Sequence, residues 1–220
     1  MQRIPEPELM DDEVQALAYA QADFSEAHDR FVALFGECFP GEREVGHLLD
    51  LGCGPADVMV RFAKAYPRCR IDGVDGSAVM LVLGREAVRR AGVEDRVRLI
   101  QGYLPGAVLP RTHYDGVLSN SLLHHLARPE VLWKTVRRHG KPGAPVLVMD
   151  LLRPASAALV EECVKRHAAN APPILQRDFR NSLCAAYEPD EVREQLRASG
   201  LDRFRVRVVS DRHWIAFGRL

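Results

Sequence analysis

The sequence predicts an α/β fold: one mostly parallel sheet with helices on both faces, preceded by a helical extension. Three observations carry this. From Gly46 to about residue 151, short apolar runs alternate with helical periods, the pattern of successive strand–helix units. The apolar runs are almost uniformly hydrophobic, so these strands are buried on both faces. The first of them leads into Leu48-Leu49-Asp50-Leu51-Gly52-Cys53-Gly54-Pro55-Ala56-Asp57-Val58. Strand, glycine turn and helix in that order bring backbone close to a nucleotide-like ligand.

Residues 1–10 hold two prolines and read as an arm. Asp11-Asp12-Glu13 then supplies an N-cap and first-turn acids for a helix carrying Val14, Leu17, Ala18 and Tyr19. A second helix is expected from about Ser25 to Glu37, through Phe31, Val32, Leu34 and Phe35, with Pro40-Gly41 as its stop. Residues 1–45 are thus read as a helical extension or cap, and 46–220 as the main domain. Within it, strands are expected at 47–51, 70–75, 97–100, 114–119 and 145–149, and helices at 56–66, 77–91 and 129–139. Pro129 sits near the first turn of the last of these, where its missing N–H costs nothing. A helix at 155–168 follows. Ala169 to Tyr187 shows no regular period and reads either as a lid-like insertion or as a packed connector. Pro189-Asp190-Glu191 opens another helix, through Val192 and Leu196, that Gly200 ends. Two β-like runs, 203–209 and 213–219, close through Ser210-Asp211-Arg212 and predict an antiparallel pair.

Lys and Arg total 30 and Asp and Glu total 30, so no global field draws the chain to nucleic acid or a membrane. The five cysteines include no C-x-x-C pair, which fits reduced thiols better than a disulfide framework. No apolar run reaches the roughly 18 residues of a membrane helix, and the N-terminus lacks a signal-peptide core. A cytoplasmic protein, monomer or homodimer, is the expectation.

The turn itself, Gly52-x-Gly54-x-x-Asp57, lacks the third glycine of a dinucleotide fingerprint. Asp50 stands before it, where a carboxylate repels a pyrophosphate and attracts an ammonium. Asp75 ends the second strand, where an acid accepts ribose hydroxyls. Together they describe a ligand with a ribose and a cationic, amino-acid-like tail.

Those residues resemble motif I of the class I S-adenosylmethionine-dependent methyltransferases. Val74-Asp75-Gly76-Ser77 is similar to their ribose-binding loop, and Tyr114 to Val117 with Leu122-Leu123-His124-His125-Leu126 to the motif after strand 4. Lys141-Pro142-Gly143 fits the family too, and the likeness spans about 46–151. It implies a Rossmann-like sheet of seven strands, the last antiparallel, and S-adenosylmethionine as cofactor. By the same resemblance Asp50, Gly52, Cys53 and Gly54 line the methionine part and Asp75, Gly76 and Ser77 the ribose. Met80, Gln101, Gly102 and Tyr103 flank the adenine, with Tyr103 where an acid is common. Asn120 and Ser121 follow strand 4, and Tyr19 either covers the cofactor or only packs its helix.

Ligands in open α/β sheets sit beyond the carboxyl ends of the strands. That places His124, His125 and Asp150 as catalytic candidates, His being the side chain that titrates nearest neutrality. Either histidine could instead only bond backbone. Arg153, Arg180, Asn181, Tyr187 and His213 are candidate acceptor contacts, with Asp150–Arg153 equally readable as a structural ion pair. No metal site is expected, because adjacent His124 and His125 should point to different sides. Arg203, Arg205 and Arg207 read as the charged face of an edge strand. The expected activity is methyl transfer to a small-molecule acceptor. The rivals are a tRNA-modifying methyltransferase, a silent cofactor-binding protein and an NAD-dependent oxidoreductase, the last disfavoured by Asp50 and Asp57.

Overall fold

The computed structural model describes residues 1–6, 11–42 and 44–220. Two helices open the chain, α1 (Glu13–Gln21) and α2 (Ser25–Cys38). Asp12 caps α1 through its Oδ1, which accepts the Gln15 amide at 2.8 Å. The alternating region follows as β1 (His47–Leu51), α3 (Asp57–Ala65), β2 (Arg70–Asp75), α4 (Ala78–Ala91), β3 (Val97–Gln101) and β4 (Gly116–Asn120). A 3-10 turn (Leu123–His125), α5 (Glu130–His139) and β5 (Pro145–Leu151) come next. The chain ends with α6 (Ala157–His167), α7 (Pro173–Ala185), α8 (Pro189–Ala198), β6 (Arg205–Val208) and β7 (His213–Arg219).

The seven strands form one sheet in the order β3-β2-β1-β4-β5-β7-β6. β1 pairs in parallel with β2 and β4, and β4 with β5. β7 runs antiparallel between β5 and β6. All seven residues of β5 are buried, the burial its unbroken apolar run predicts. One core lies under α2, α3 and α4, and includes Phe31, Leu34, Phe35, Phe62 and Ile71. The other lies under α5 and α8, and includes Trp133, Trp214, Leu132 and Leu196. The rings of Phe35, Phe62 and Tyr66 stack and cross at centroid spacings of 4.5–5.6 Å, so α2 shares the sheet's own core.

One expectation fails here. The stretch 169–187 is largely helix α7, not an irregular segment. Pro173 at its start resembles a breaker, but it occupies the first turn, where the absent N–H breaks no helical bond. Leu175 and Leu183 lie on its buried side.

Candidate active site

The register aligns the carboxyl ends of five strands on one rim. Leu51 faces Val74 and Ser119, Asp75 faces Gln101, and Asn120 faces Met149. The start of β7 joins them, with His213 opposite Leu151. Gly52 and Cys53 both donate backbone N–H groups to the Val74 carbonyl, at 2.8 and 3.1 Å. This folds the turn back over β2. Gly52 has φ +74°, and a Cβ there would lie 2.8 Å from Leu122. Gly54 has φ +50°, and its missing side chain faces open space, a cradle of backbone that a ligand can approach. Ala56 and Ser121 are non-glycine residues with positive φ, 66° and 56°. Both flank this rim, and strain of that kind gathers at ligand sites.

Asp75 is the anchor of the cradle. Its Oδ2 accepts the Gly54 amide and its Oδ1 the Ser77 amide, both at 2.8 Å. Each oxygen keeps a second lone pair for a hydroxyl. Burial raises its pKa, and those two amides work against the rise. Asp50 is deeper. It is 2% exposed, and among the described residues its Oδ1 has no hydrogen-bond partner. Burial, then the charge of Asp75, pushes its pKa up to about 7. Two carboxylates, with no cation paired to either among the described residues, therefore line one end of the rim. Asn120 Oδ1 is a further buried acceptor without a partner among the described residues.

The other expected cofactor contacts divide. Ser77 caps α4, accepting the Met80 amide at 3.2 Å, and Met80 is buried beneath it. The Gly102 amide bonds the Asp75 carbonyl at 2.9 Å. Tyr103 is 57% exposed. Buried Cys53 has a thiol pushed well up by burial and by Asp75 and Asp50, which leaves it no thiolate character. Tyr19 of α1 sits among Asp57, Asp75 and Asp150; burial first, then these charges, pushes its hydroxyl up to about 12. Asp57, standing where a third glycine is usual, turns away to His28 Nδ1 at 2.6 Å and Arg61 Nε at 2.8 Å.

Asp150, at the end of β5, is 1% exposed and grips His124. His124 Nδ1 donates to its Oδ1 at 2.5 Å, and the His124 amide donates to its Oδ2 at 3.2 Å. Burial works to raise the Asp150 pKa, but His124 outweighs it and holds the carboxyl below the usual range. Burial likewise opposes charge on His124, yet Asp150 and Glu6 outweigh it and raise its pKa. Glu6 is the residue the sequence reading missed. The arm 1–6 lies along α7: Arg3 donates to the carbonyls of Ala185 and His124 and sits 4.2 Å over the Tyr187 ring. Glu6 Oε1 then lies 3.3 Å from His124 Nε2 and 3.4 Å from His125 Nδ1. No short motif marks a lone glutamate between two prolines as a site residue.

Several expectations need correction. His124 and His125 do not diverge: the 3-10 turn brings their rings together, centroids 4.1 Å apart and planes tilted by 36°. Arg153 does not pair with Asp150. It is buried and bonds Glu188, Glu191 and the Ala186 carbonyl, tying β5 to α8. Arg180 pairs with Glu161 on the outer face of α6, and Asn181 is exposed. Tyr187 is buried under Arg3. His213 bonds Ser210 Oγ at 3.1 Å, and burial, then Arg212, pushes its pKa down to about 4.

Comparison with known proteins agrees with the geometry. Residues 48–143 match the family model described as a methyltransferase domain. The ubiquinone/menaquinone biosynthesis C-methyltransferase UbiE of Syntrophotalea carbinolica is 30% identical over 125 residues, 56% of this chain and 52% of that protein. A trans-aconitate 2-methyltransferase from Azoarcus sp. is 30% identical over 106 residues, 48% of this chain and 39% of that protein. The chain thus spans about half the length, or less, of these curated relatives. A solved S-adenosylmethionine-dependent methyltransferase of Methanococcus maripaludis, described as putative, superposes with TM-score 0.70 at 14% identity. The match covers 98% of this chain and 97% of that one. Another from Aquifex aeolicus gives 0.66 at 18% identity, covering 94% and 97%; at such identities the likeness speaks to fold. Matched segment, strand order and glycine cradle agree: residues 48–143 match a methyltransferase domain, and the chain is similar in sequence and fold to the class I S-adenosylmethionine-dependent methyltransferases.

Proposed function

We propose that the protein transfers a methyl group from S-adenosylmethionine to a small-molecule acceptor. One observation carries the donor half: buried Asp50 and hydrogen-bonded Asp75 flank an open backbone cradle at Gly54 with no cation to balance them. A ligand carrying an ammonium and a ribose fits both carboxylates. When bound, it supplies an electrophilic methyl on a sulfonium. Asp75 would accept the ribose hydroxyls, Asp50 would face the cationic tail, and the Gly52–Gly54 backbone would lie along the methionine part. Tyr19, held over the rim by α1, would exclude water.

The acceptor half rests on the rim between Asp150, the 3-10 turn and α7. Asp150 fixes His124 in one tautomer, with Nδ1–H donated and Nε2 facing the space beside Glu6. Aligning a nucleophile against the methyl can remove roughly 7–11 kcal/mol of barrier. The arm and α7 wall this side of the rim. The relatives named for quinone and aconitate methylation point to a small-molecule acceptor.

The test is a labelled-methyl transfer screen over metabolite extract and total tRNA side by side. Label should enter a small metabolite. Label in tRNA alone would replace this reading with the RNA-modifying one, and binding without any transfer would favour a silent binder. As the control, Asp75→Ala should weaken S-adenosylhomocysteine binding by at least ~1 kcal/mol, and the wild type should not bind NAD.

A further inference from the structure

The methyl-transfer reading leaves the contact between Glu6 and the two histidines unexplained. Three donor atoms meet there: Glu6 Oε1, His124 Nε2 and His125 Nδ1 all lie within 4.8 Å of one another. The Glu6 side chain is 10% exposed and that of His124 3%. Oε1 is buried, and although both ring nitrogens lie 3.3–3.4 Å away, it hydrogen-bonds to neither. The tautomer sharpens the point. Asp150 takes the Nδ1 proton of His124, so neutral His124 turns a lone pair from Nε2 toward the lone pairs of a carboxylate. Either a proton held by one of the two groups or a bound cation has to lie between them.

The distances fit a bound cation. A tetrahedral ion bound at about 2.0–2.1 Å spaces its ligand atoms about 3.3–3.4 Å apart. The two measured separations from Glu6 Oε1 are 3.3 and 3.4 Å. Two imidazoles and one carboxylate suit zinc, cobalt or iron better than magnesium or calcium. A carboxylate behind a ligating imidazole is also the usual support for such an ion, orienting the ring and raising its basicity; Asp150 stands in that place.

We infer that Glu6, His124 and His125 form a site for one divalent transition-metal ion, with Asp150 as the residue that positions His124. The arm then has a purpose: it delivers the third ligand from a sequence distance of more than a hundred residues. Three protein ligands leave a coordination position open, and an oxygen, nitrogen or sulfur of the acceptor can take it. That last step rests on the methyl-transfer reading, whereas metal binding itself needs no acceptor.

The experiment is a titration of the chelator-treated full-length protein with Co2+, followed by visible absorption, with Zn2+ as competitor. One Co2+ per chain is expected, with bands of a low-coordinate site that Zn2+ erases. Glu6→Gln keeps size and removes the charge; it should weaken Co2+ binding by about tenfold or more. His125→Gln should do the same. Melting temperature and S-adenosylhomocysteine affinity, measured on the same samples, show that each variant is folded. Failure of the wild type to bind Co2+ stoichiometrically overturns the site. So does binding that both variants leave unchanged. Neither result depends on the labelled-methyl screen.

Discussion

Asp50 is caught between two demands, and pH separates them. It must be charged to meet an ammonium, yet it is buried with no partner for Oδ1. Its pKa of about 7 in the fold lies above the roughly 3.9 of a carboxylate in an unfolded chain. The folded state therefore holds this proton more tightly. Its contribution to stability is complete below about pH 4 and is lost as pH rises through about 7. Ligand-free protein should thus lose melting temperature between pH 5 and 8, and Asp50→Asn should flatten that slope while weakening S-adenosylhomocysteine binding. Calorimetry at pH 6.5 in buffers of different ionisation enthalpy should show a proton released on binding, because a nearby ammonium lowers the Asp50 pKa. Binding without proton release would put the ammonium elsewhere. His213 acts in the opposite sense: with its pKa held at about 4, its contribution is present above about pH 6.5 and falls away toward pH 4. The donor side of this site was legible because glycine, aspartate and their spacing are local signals. Glu6 was not, because the contact joins residues far apart in the chain. Arg153 differs for a related reason: its partners, Glu188 and Glu191, are the N-cap and first turn of α8.

At the scale of elements, the strands and every helix but α7 followed from periodicity and from their stops. α7 did not, because its buried side rests on few residues, Leu175, Leu183 and Ala185, set among polar ones. Its place is set by tertiary contacts that no local pattern shows: α6 on one side, and α1 and the arm on the other. Arg3 is the pin of that arrangement, with two carbonyl bonds and the Tyr187 ring. The Ile4 amide bonds the Cys184 carbonyl beside it at 3.0 Å. Hydrogen bonds to charged groups contribute about 1.5–3 kcal/mol each, so Arg3→Ala should release the arm and leave the sheet standing. Hydrogen exchange at the Ile4 amide should quicken by about tenfold, a change of ~1.4 kcal/mol, while amides of β1 and β5 keep their protection. Equal loss of protection in β5 would mean that the arm belongs to the global core and is not a separable cover.

Over the whole molecule the sheet separates two chemistries. The glycine cradle follows β1, at the middle of the sheet, while β6 is its outer edge. Four strand spacings, about 19 Å, lie between them. Arg205 and Arg207 are exposed on β6, with Arg203 just before it. Arg207 reaches toward Glu37 and over the Phe217 ring. Charge on an edge strand keeps its open backbone groups from pairing with another chain. The sequence reading of an edge face rests on the same alternation, and the position of β6 in the sheet explains why it ends in a charged stripe. Replacing all three arginines by alanine should therefore leave cofactor affinity and methyl transfer near wild type. It should make the protein associate, as light scattering at raised concentration can follow. A collapse of transfer with melting temperature and cofactor affinity intact would mean that this edge guides a polyanionic acceptor, and the small-molecule reading would have to give way.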